Sequence, residues 1–271
     1  MRDLQELGRQ VEQLAKAAGE RLAEKRGKHN DVMTKASQMD LVTDMDKATE
    51  RYIVSLIREW YPEDLILSEE DAFENSWQVD SLLKEEQYCW VIDPIDGTTN
   101  FIHGIPYFTV SIGIVKNGKT LVGAVYEPSG KEMFTSIRGR GAFLNGEPIH
   151  VSSRSTVGES LLHVSYSSVY WRPESELRNE MAAFFGKCRN IKHAGASSLD
   201  LCYLACGRID GFWHLNPAPW DIAAAILILE EAGGKLTSIS GEAFTWQECS
   251  VLASNNRIHE EILSIKEQEG Y

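Results

Sequence analysis

Leu4, Leu7, Val11, Leu14 and Ala18 recur at intervals of three and four, which predicts an amphipathic helix at the start of the chain. A polar stretch follows over residues 25–40. Thr43 or Asp44 can then cap a second helix, with Ala48, Tyr52, Leu56 and Trp60 on one face and Pro62 closing it. Leu65-Ile66-Leu67 predicts a short strand that empties into Ser68-Glu69-Glu70-Asp71, and residues 72–87 a polar, helix-prone excursion. Cys89-Trp90-Val91-Ile92 is a second short strand, ending at Asp93. Residues 108–115, 120–126 and 132–137 read as β segments joined by Lys116-Asn117-Gly118-Lys119 and Pro128-Ser129-Gly130, which have turn chemistry. This middle part predicts an antiparallel meander.

The second half alternates differently. Strands are expected at 161–165, 209–214 and Val251-Leu252-Ala253, and helices at 174–187, 220–232 and from about Ile258. Leu199, Cys202, Tyr203 and Cys206 mark one more helical face, and Gly233-Gly234 supplies a helix stop. The pattern predicts an α/β class, layered in the α+β manner. An α+β portion over 1–150 and an α/β portion over 151–271 would pack as one compact unit.

Composition narrows the function. At 271 residues, 43% hydrophobic and 25% charged, the chain can build a full core without disulfides. Lys plus Arg number 27 against 40 Asp plus Glu, a net charge of −13, which is the wrong sign for a nucleic-acid footprint. It also opposes a polyanionic substrate unless cations lie between. The longest apolar run, residues 222–229, is far short of a membrane span. The first residues lack the pattern of a secretory signal, and the five scattered cysteines form no C-x-x-C pair. Cys202 and Cys206, four apart, read as two buried thiols. A cytoplasmic protein is expected.

Three segments deliver carboxylates where an apolar element ends: Glu69-Glu70, Asp93-Pro94-Ile95-Asp96-Gly97-Thr98-Thr99-Asn100, and Trp220-Asp221. Glu69-Glu70 alone reads as solvated acid at a loop start. The middle segment is more specific. Pro94 fixes the backbone between two aspartates, Gly97 permits close approach, and Thr98 offers an N–H and a hydroxyl to a phosphate. Two bare carboxylates ~4 Å apart repel by roughly 4 kcal/mol at an effective dielectric near 20, so such a pocket stays ionised by filling with cations. Hard oxygen ligands suit Mg²⁺, and two such ions would make an acidic protein attractive to a phosphate ester.

Asp93 to Phe101, with Glu69-Glu70 upstream and Pro219-Trp220-Asp221-Ile222-Ala223-Ala224 downstream, resembles the inositol monophosphatase family. Asp40-Leu41-Val42-Thr43-Asp44-Met45-Asp46, Gly139 to Gly146, Ala205-Cys206-Gly207-Arg208-Ile209-Asp210 and Glu231-Ala232-Gly233-Gly234 extend the resemblance over nearly the whole chain. The resemblance implies an α-β-α-β-α sandwich, a phosphoric monoester hydrolase requiring two to three Mg²⁺, lithium sensitivity and a homodimer. Carried onto this chain, Glu69, Asp93 and the Ile95 carbonyl would hold one Mg²⁺, and Asp93, Asp96 and Asp221 a second. A third ion would lean on Glu69. Thr98, with Asp46 behind it, would orient the attacking water, while Gly97 and Thr98 receive phosphate. Lys35 matches a basic position near the metals, and Glu70 is a further acid there. Gly195, Ala196 and Ser197 would meet substrate largely through backbone. Attack by metal-activated water would be direct, with no phosphoenzyme.

The substrate side departs from the inositol pattern. His214 stands where the family often has a glutamate for sugar hydroxyls, and Lys192, followed by His193, replaces a frequent arginine. His214 reads either as a substrate contact or as a strand-ending histidine with no catalytic task. The expected substrate is inositol monophosphate or a related small polyol or sugar phosphate. Fructose 1,6-bisphosphate, the 2′-phosphate of NADP and 3′-phosphonucleotides are rivals on the same fold. A dehalogenase-type D-x-D-G-T phosphatase is disfavoured, because Asp93 and Asp96 are three apart with proline between. A non-catalytic module that binds metal and phosphate, or a protein partner, is the alternative of a different class.

Overall fold

The computed structural model describes residues 2–26, 32–34, 41–75, 79–167, 181–247 and 250–268. Helix α1 (Leu4–Ala23) begins where Asp3 accepts the N–H of Gln5, and it buries Leu7, Val11, Leu14 and Ala18, as the spacing predicts, and Leu22 besides, while Leu4 is only half-buried. Within the polar stretch, β1 (Val32–Thr34) forms and pairs antiparallel with β2 (Leu41–Thr43) just beyond it, strands too short to show a period. Thr43 caps α2 (Asp44–Trp60): its hydroxyl accepts from Met45 N–H, and Asp46 reaches back to accept Thr43 N–H at 2.7 Å.

The buried face of α2 corrects the expectation. Asp46, Thr49, Ile53 and Ile57 are buried, whereas Ala48 and Trp60 are exposed and Tyr52 and Leu56 only half-buried. The two stripes lie one residue, about 100°, apart on the helix. Turning Asp46 inward, where it meets Thr98, puts the β-branched pair Ile53 and Ile57 in the core.

A seven-stranded sheet follows in chain order: β3 (Leu65–Ser68), β4 (Cys89–Asp96), β5 (Thr109–Lys116), β6 (Lys119–Glu127), β7 (Glu132–Ile137), β8 (Ala142–Leu144) and β9 (Glu147–Pro148). Only β3 and β4 are parallel, and their crossover carries α3 (Glu69–Asn75) and α4 (Val79–Lys84). The remainder is the expected meander. β4 does not stop at Ile92: all eight of its residues through Asp96 are buried. A strand buried on both faces needs cover on both. Helices α1 and α2 supply one side.

The other side is α7 (Pro219–Glu231), lying between this sheet and a second one. Residues 222–229 are all buried, which explains an apolar run with no helical stripe. Gly113 and Gly123 are cross-strand partners beneath Ala223 and Ala224, and a Cβ on Gly123 would lie 2.5 Å from Ala224 O. The second sheet runs β11 (Asn190–Lys192), β10 (Leu161–Tyr166), β12 (Gly211–Leu215), β14 (Ser250–Ser254), β13 (Lys235–Thr237). Helix α6 (Ser197–Ala205) joins α7 between the sheets, and α8 (His259–Gln268) packs on the outer face with Trp213, Leu252 and Phe184.

The layers are therefore α-β-α-β-α. Of the helix expected over 174–187, residues 174–180 lie outside the described residues. Residues 181–183 are helical and 184–187 form a turn at Gly186 (φ +78°), so the helix ends earlier than expected. Cys202 is buried and Cys206 half-buried, both as free thiols. Among the described residues, no helix is long and apolar enough to cross a membrane.

Candidate active site

The acids of β4 owe their placement to a bulge. Asp93 pairs with Ser111 and Asp96 with Thr109, so the two residues between them on β4 face the single Val110 of β5. Asp93 is 2% exposed and accepts the N–H of Ile95 at 3.0 Å. Gly97 then takes φ +92°, and a Cβ there would meet Tyr107 O at 3.0 Å and Gly195 O at 3.2 Å. This left-handed residue turns the strand directly into α5 (Thr98–Ile102), which has no side-chain cap among the described residues. The Thr98 hydroxyl is shared between Asp46 Oδ1 at 3.1 Å and the Ile95 carbonyl at 3.0 Å. Asn100 donates to Tyr107 O at 2.8 Å and Ala194 O at 2.9 Å, tying α5 to the segment before α6.

Helix α6 begins at Ala196, which cannot cap it. Asp96 does so across the chain: Ser197 N–H reaches Oδ1 at 3.1 Å, and Ser198 gives Oδ2 its N–H at 2.7 Å and its hydroxyl. Burial pushes the Asp96 carboxyl up to about 7, against the pull of the Ser198 and Ser197 donors. All of these partners are neutral. Behind them Asp200, fully buried, accepts from Tyr107 OH at 2.6 Å and meets His163 Nδ1 at 2.6 Å. Burial and then Asp200 raise the Tyr107 hydroxyl far above the usual tyrosine range, so it stays a donor.

The other acids arrive from two directions. Glu69 is half-buried and Glu70 buried, in the first turn of α3, and Glu70 N–H donates to Glu50 at 3.0 Å. Burial pushes the Glu50 carboxyl up. Asp221 stands in the first turn of α7 behind Pro219, accepting Ala218 N–H at 2.7 Å. Ala223, two residues on, lies against Gly113, which pairs with Val91 two residues before Asp93.

His214 lies on β12, 3% exposed, with Nδ1 3.1 Å from Ser197 Oγ and no partner at Nε2 among the described residues. Burial, aided by His193, pushes it down to about 3, so the imidazole is neutral. Ser197 Oγ also donates to Ser165 Oγ at 3.2 Å.

Asp96, Gly97 and Thr98 are thus brought against Gly195, Ala196 and Ser197, with Asp46 behind Thr98 and His214 behind Ser197. Among the described residues, no three His, Cys, Asp or Glu side chains already converge as a metal-binding group. Lys35 and Asp40 lie outside the described residues. Sequence reasoning gave no role to Asn100, Ser198, Asp200, His163 or Glu50. Asn100 ends the Asp93 to Asn100 segment and Ser198 directly follows Ser197, but nothing in the spacing reveals that Asn100 and Ser198 join two distant segments.

Residues 3–271 match the sequence model of the inositol monophosphatase family. The chain is 38% identical over 224 residues to Nus factor SuhB of Vibrio cholerae, covering 83% of this chain and 81% of that one. It is 35% identical over 260 residues to the inositol-1-monophosphatase of Bacillus subtilis, covering 93% and 95%. Among solved structures, an IMPase from Thermotoga maritima superposes with a TM-score of 0.84 at 32% identity, covering 95% of each chain.

Proposed function

This chain belongs to the inositol monophosphatase family, an enzyme of the phosphatase type, and we propose that it is a Mg²⁺-dependent phosphomonoesterase for inositol monophosphate or another small polyol or sugar phosphate. One observation carries the reading: Asp96, Gly97 and Thr98 meet the start of α6, with Asp46 holding the Thr98 hydroxyl. The donor chemistry fits a hard cation. Asp96 is a buried carboxylate whose hydrogen-bond partners among the described residues are all neutral, and burial pulls it toward protonation. A divalent cation beside it reverses that pull. Glu69, Asp93, Asp96, Asp221 and the Ile95 carbonyl are the oxygens that would hold Mg²⁺. Bound there, Mg²⁺ would supply Lewis acidity and charge neutralisation for a phosphate ester.

The chain's own groups do the rest. Asp46 fixes the Thr98 hydroxyl, whose lone pairs are then aimed to orient a water molecule. The uncapped first turn of α5 offers backbone N–H groups to phosphate oxygens. Gly195, Ala196 and Ser197 border the substrate on the far side. His214, neutral and buried, orders Ser197 rather than offering a carboxylate to sugar hydroxyls. Lithium inhibition and a homodimer belong to the same reading.

The test is a phosphate-release panel with and without Mg²⁺, holding inositol 1-phosphate, fructose 1,6-bisphosphate, NADP and a 3′-phosphonucleotide side by side. Release that requires Mg²⁺ and is greatest for a small polyol or sugar monophosphate is expected. Silence across the panel would favour a non-catalytic binding module instead.

A further inference from the structure

Glu50 follows Asp46 by four residues on α2, so the two side chains leave the same side of the helix one turn apart. Asp46 accepts the Thr98 hydroxyl at the end of β4. Glu50 accepts the backbone N–H of Glu70 at 3.0 Å, just past the end of β3. These strands are parallel neighbours, with Ser68 opposite Ile92. A single helix face therefore grips both acid-bearing strand ends.

Helix α3 has seven residues, too few to hold its own first turn, and Glu69 stands in that turn. The Glu50 carboxylate satisfies an N–H that the short helix leaves open. We propose that Glu50 is a positioning residue: by pinning the first turn of α3 to α2, it sets Glu69 relative to Asp93 and so tunes divalent-cation affinity. The inference rests on the phosphatase reading above. Glu50 faces the Ser68 hydroxyl and the backbone N–H groups of Glu70 and Asp71, so it acts on where Glu69 stands and touches neither substrate nor reacting atoms.

Glu50 also lines an open cleft of about 270 Å³ with Arg51, Val54, Arg58 and Asp71. Truncating it enlarges that cleft instead of leaving a closed void, so the fold should tolerate the change.

The experiment compares wild type, Glu50→Ala and Glu50→Gln by Mn²⁺ calorimetry without substrate and by Mg²⁺ activation of phosphate release. Glu50→Ala should weaken Mn²⁺ binding and raise the half-activating Mg²⁺ by about tenfold or more, with kcat at saturating Mg²⁺ nearly retained. Glu50→Gln keeps one accepting oxygen and should lose less than Glu50→Ala in both. Should Glu50→Ala fail to fold, Glu50→Asp, one methylene short, carries the same expectation. Unchanged Mn²⁺ affinity in the folded variant overturns the proposal, and so does an equal loss in Glu50→Gln. A wild type that neither binds Mn²⁺ nor releases phosphate would instead bring down the phosphatase reading itself.

Discussion

Ser198 gives both its backbone N–H, at 2.7 Å, and its hydroxyl to one oxygen of Asp96, a partner 102 residues earlier. The pair caps α6 and fixes the carboxylate on which the proposed chemistry depends. Ser198→Ala keeps the N–H and removes the hydroxyl. It should cost about 1.5–3 kcal/mol in urea unfolding, the range for a hydrogen bond to a charged group, and raise the Mg²⁺ needed for half-maximal turnover. Unaltered stability and Mg²⁺ response would show that the hydroxyl contributes nothing.

Asp221→Asn retains an oxygen to accept Ala218 N–H, so α7 should still start at Pro219. Only the negative charge is lost. Mg²⁺-dependent phosphate release should fall by about 10²–10³-fold, the range seen when a group stabilising transition-state charge is deleted, with the melting temperature little changed. Undiminished turnover would remove Asp221 from the site.

Gly97→Ala places a Cβ at φ +92° and 3.0 Å from a carbonyl oxygen. Left-handed strain of about 1–3 kcal/mol should appear in denaturant unfolding, and the turn into α5 should shift. Activity should fall further than the lost stability explains, because Thr98 follows directly. A variant as active and stable as wild type would show that the turn tolerates any residue.

Two buried histidines set an acid limit on stability. Burial, with help from Lys235 against Glu260, pushes His259 down to about 4, and His214 is pushed down to about 3. Each folded value lies below the ordinary 6.5, so between them the unfolded chain binds more protons than the native one. Their contribution is complete above pH 6.5 and is lost as pH falls toward 4. Unfolding free energies measured from pH 8 to 5 should drop over that window. The drop should be shallower in His259→Asn; identical slopes would refute the assignment.

Much of this was legible because local chemistry announces it. The α1 stripe, the meander turns and the Asp93 to Thr98 segment each carry their signal within a few residues. The face of α2 was not legible, since Tyr52 and Leu56 form as good a stripe as Ile53 and Ile57. What decides between them is the contact of Asp46 with Thr98, 52 residues away. The continuation of β4 through two aspartates escaped for a related reason: acids usually mark strand ends, and here Ile95 N–H supplies a donor to Asp93 and the start of α6 supplies those of Asp96. Glu50 left no trace, because it meets the turn at Ser68, Glu70 and Asp71 some twenty residues on, chiefly through backbone N–H groups that no side-chain pattern encodes.

The most direct test is a crystal grown with Mn²⁺ and inorganic phosphate, read by anomalous scattering. The account predicts strong peaks bounded by oxygens of Asp93, Asp96, Asp221 and Glu69 with phosphate at Gly97 and Thr98. Well-ordered acids with no manganese between them, at saturating ion, would contradict it.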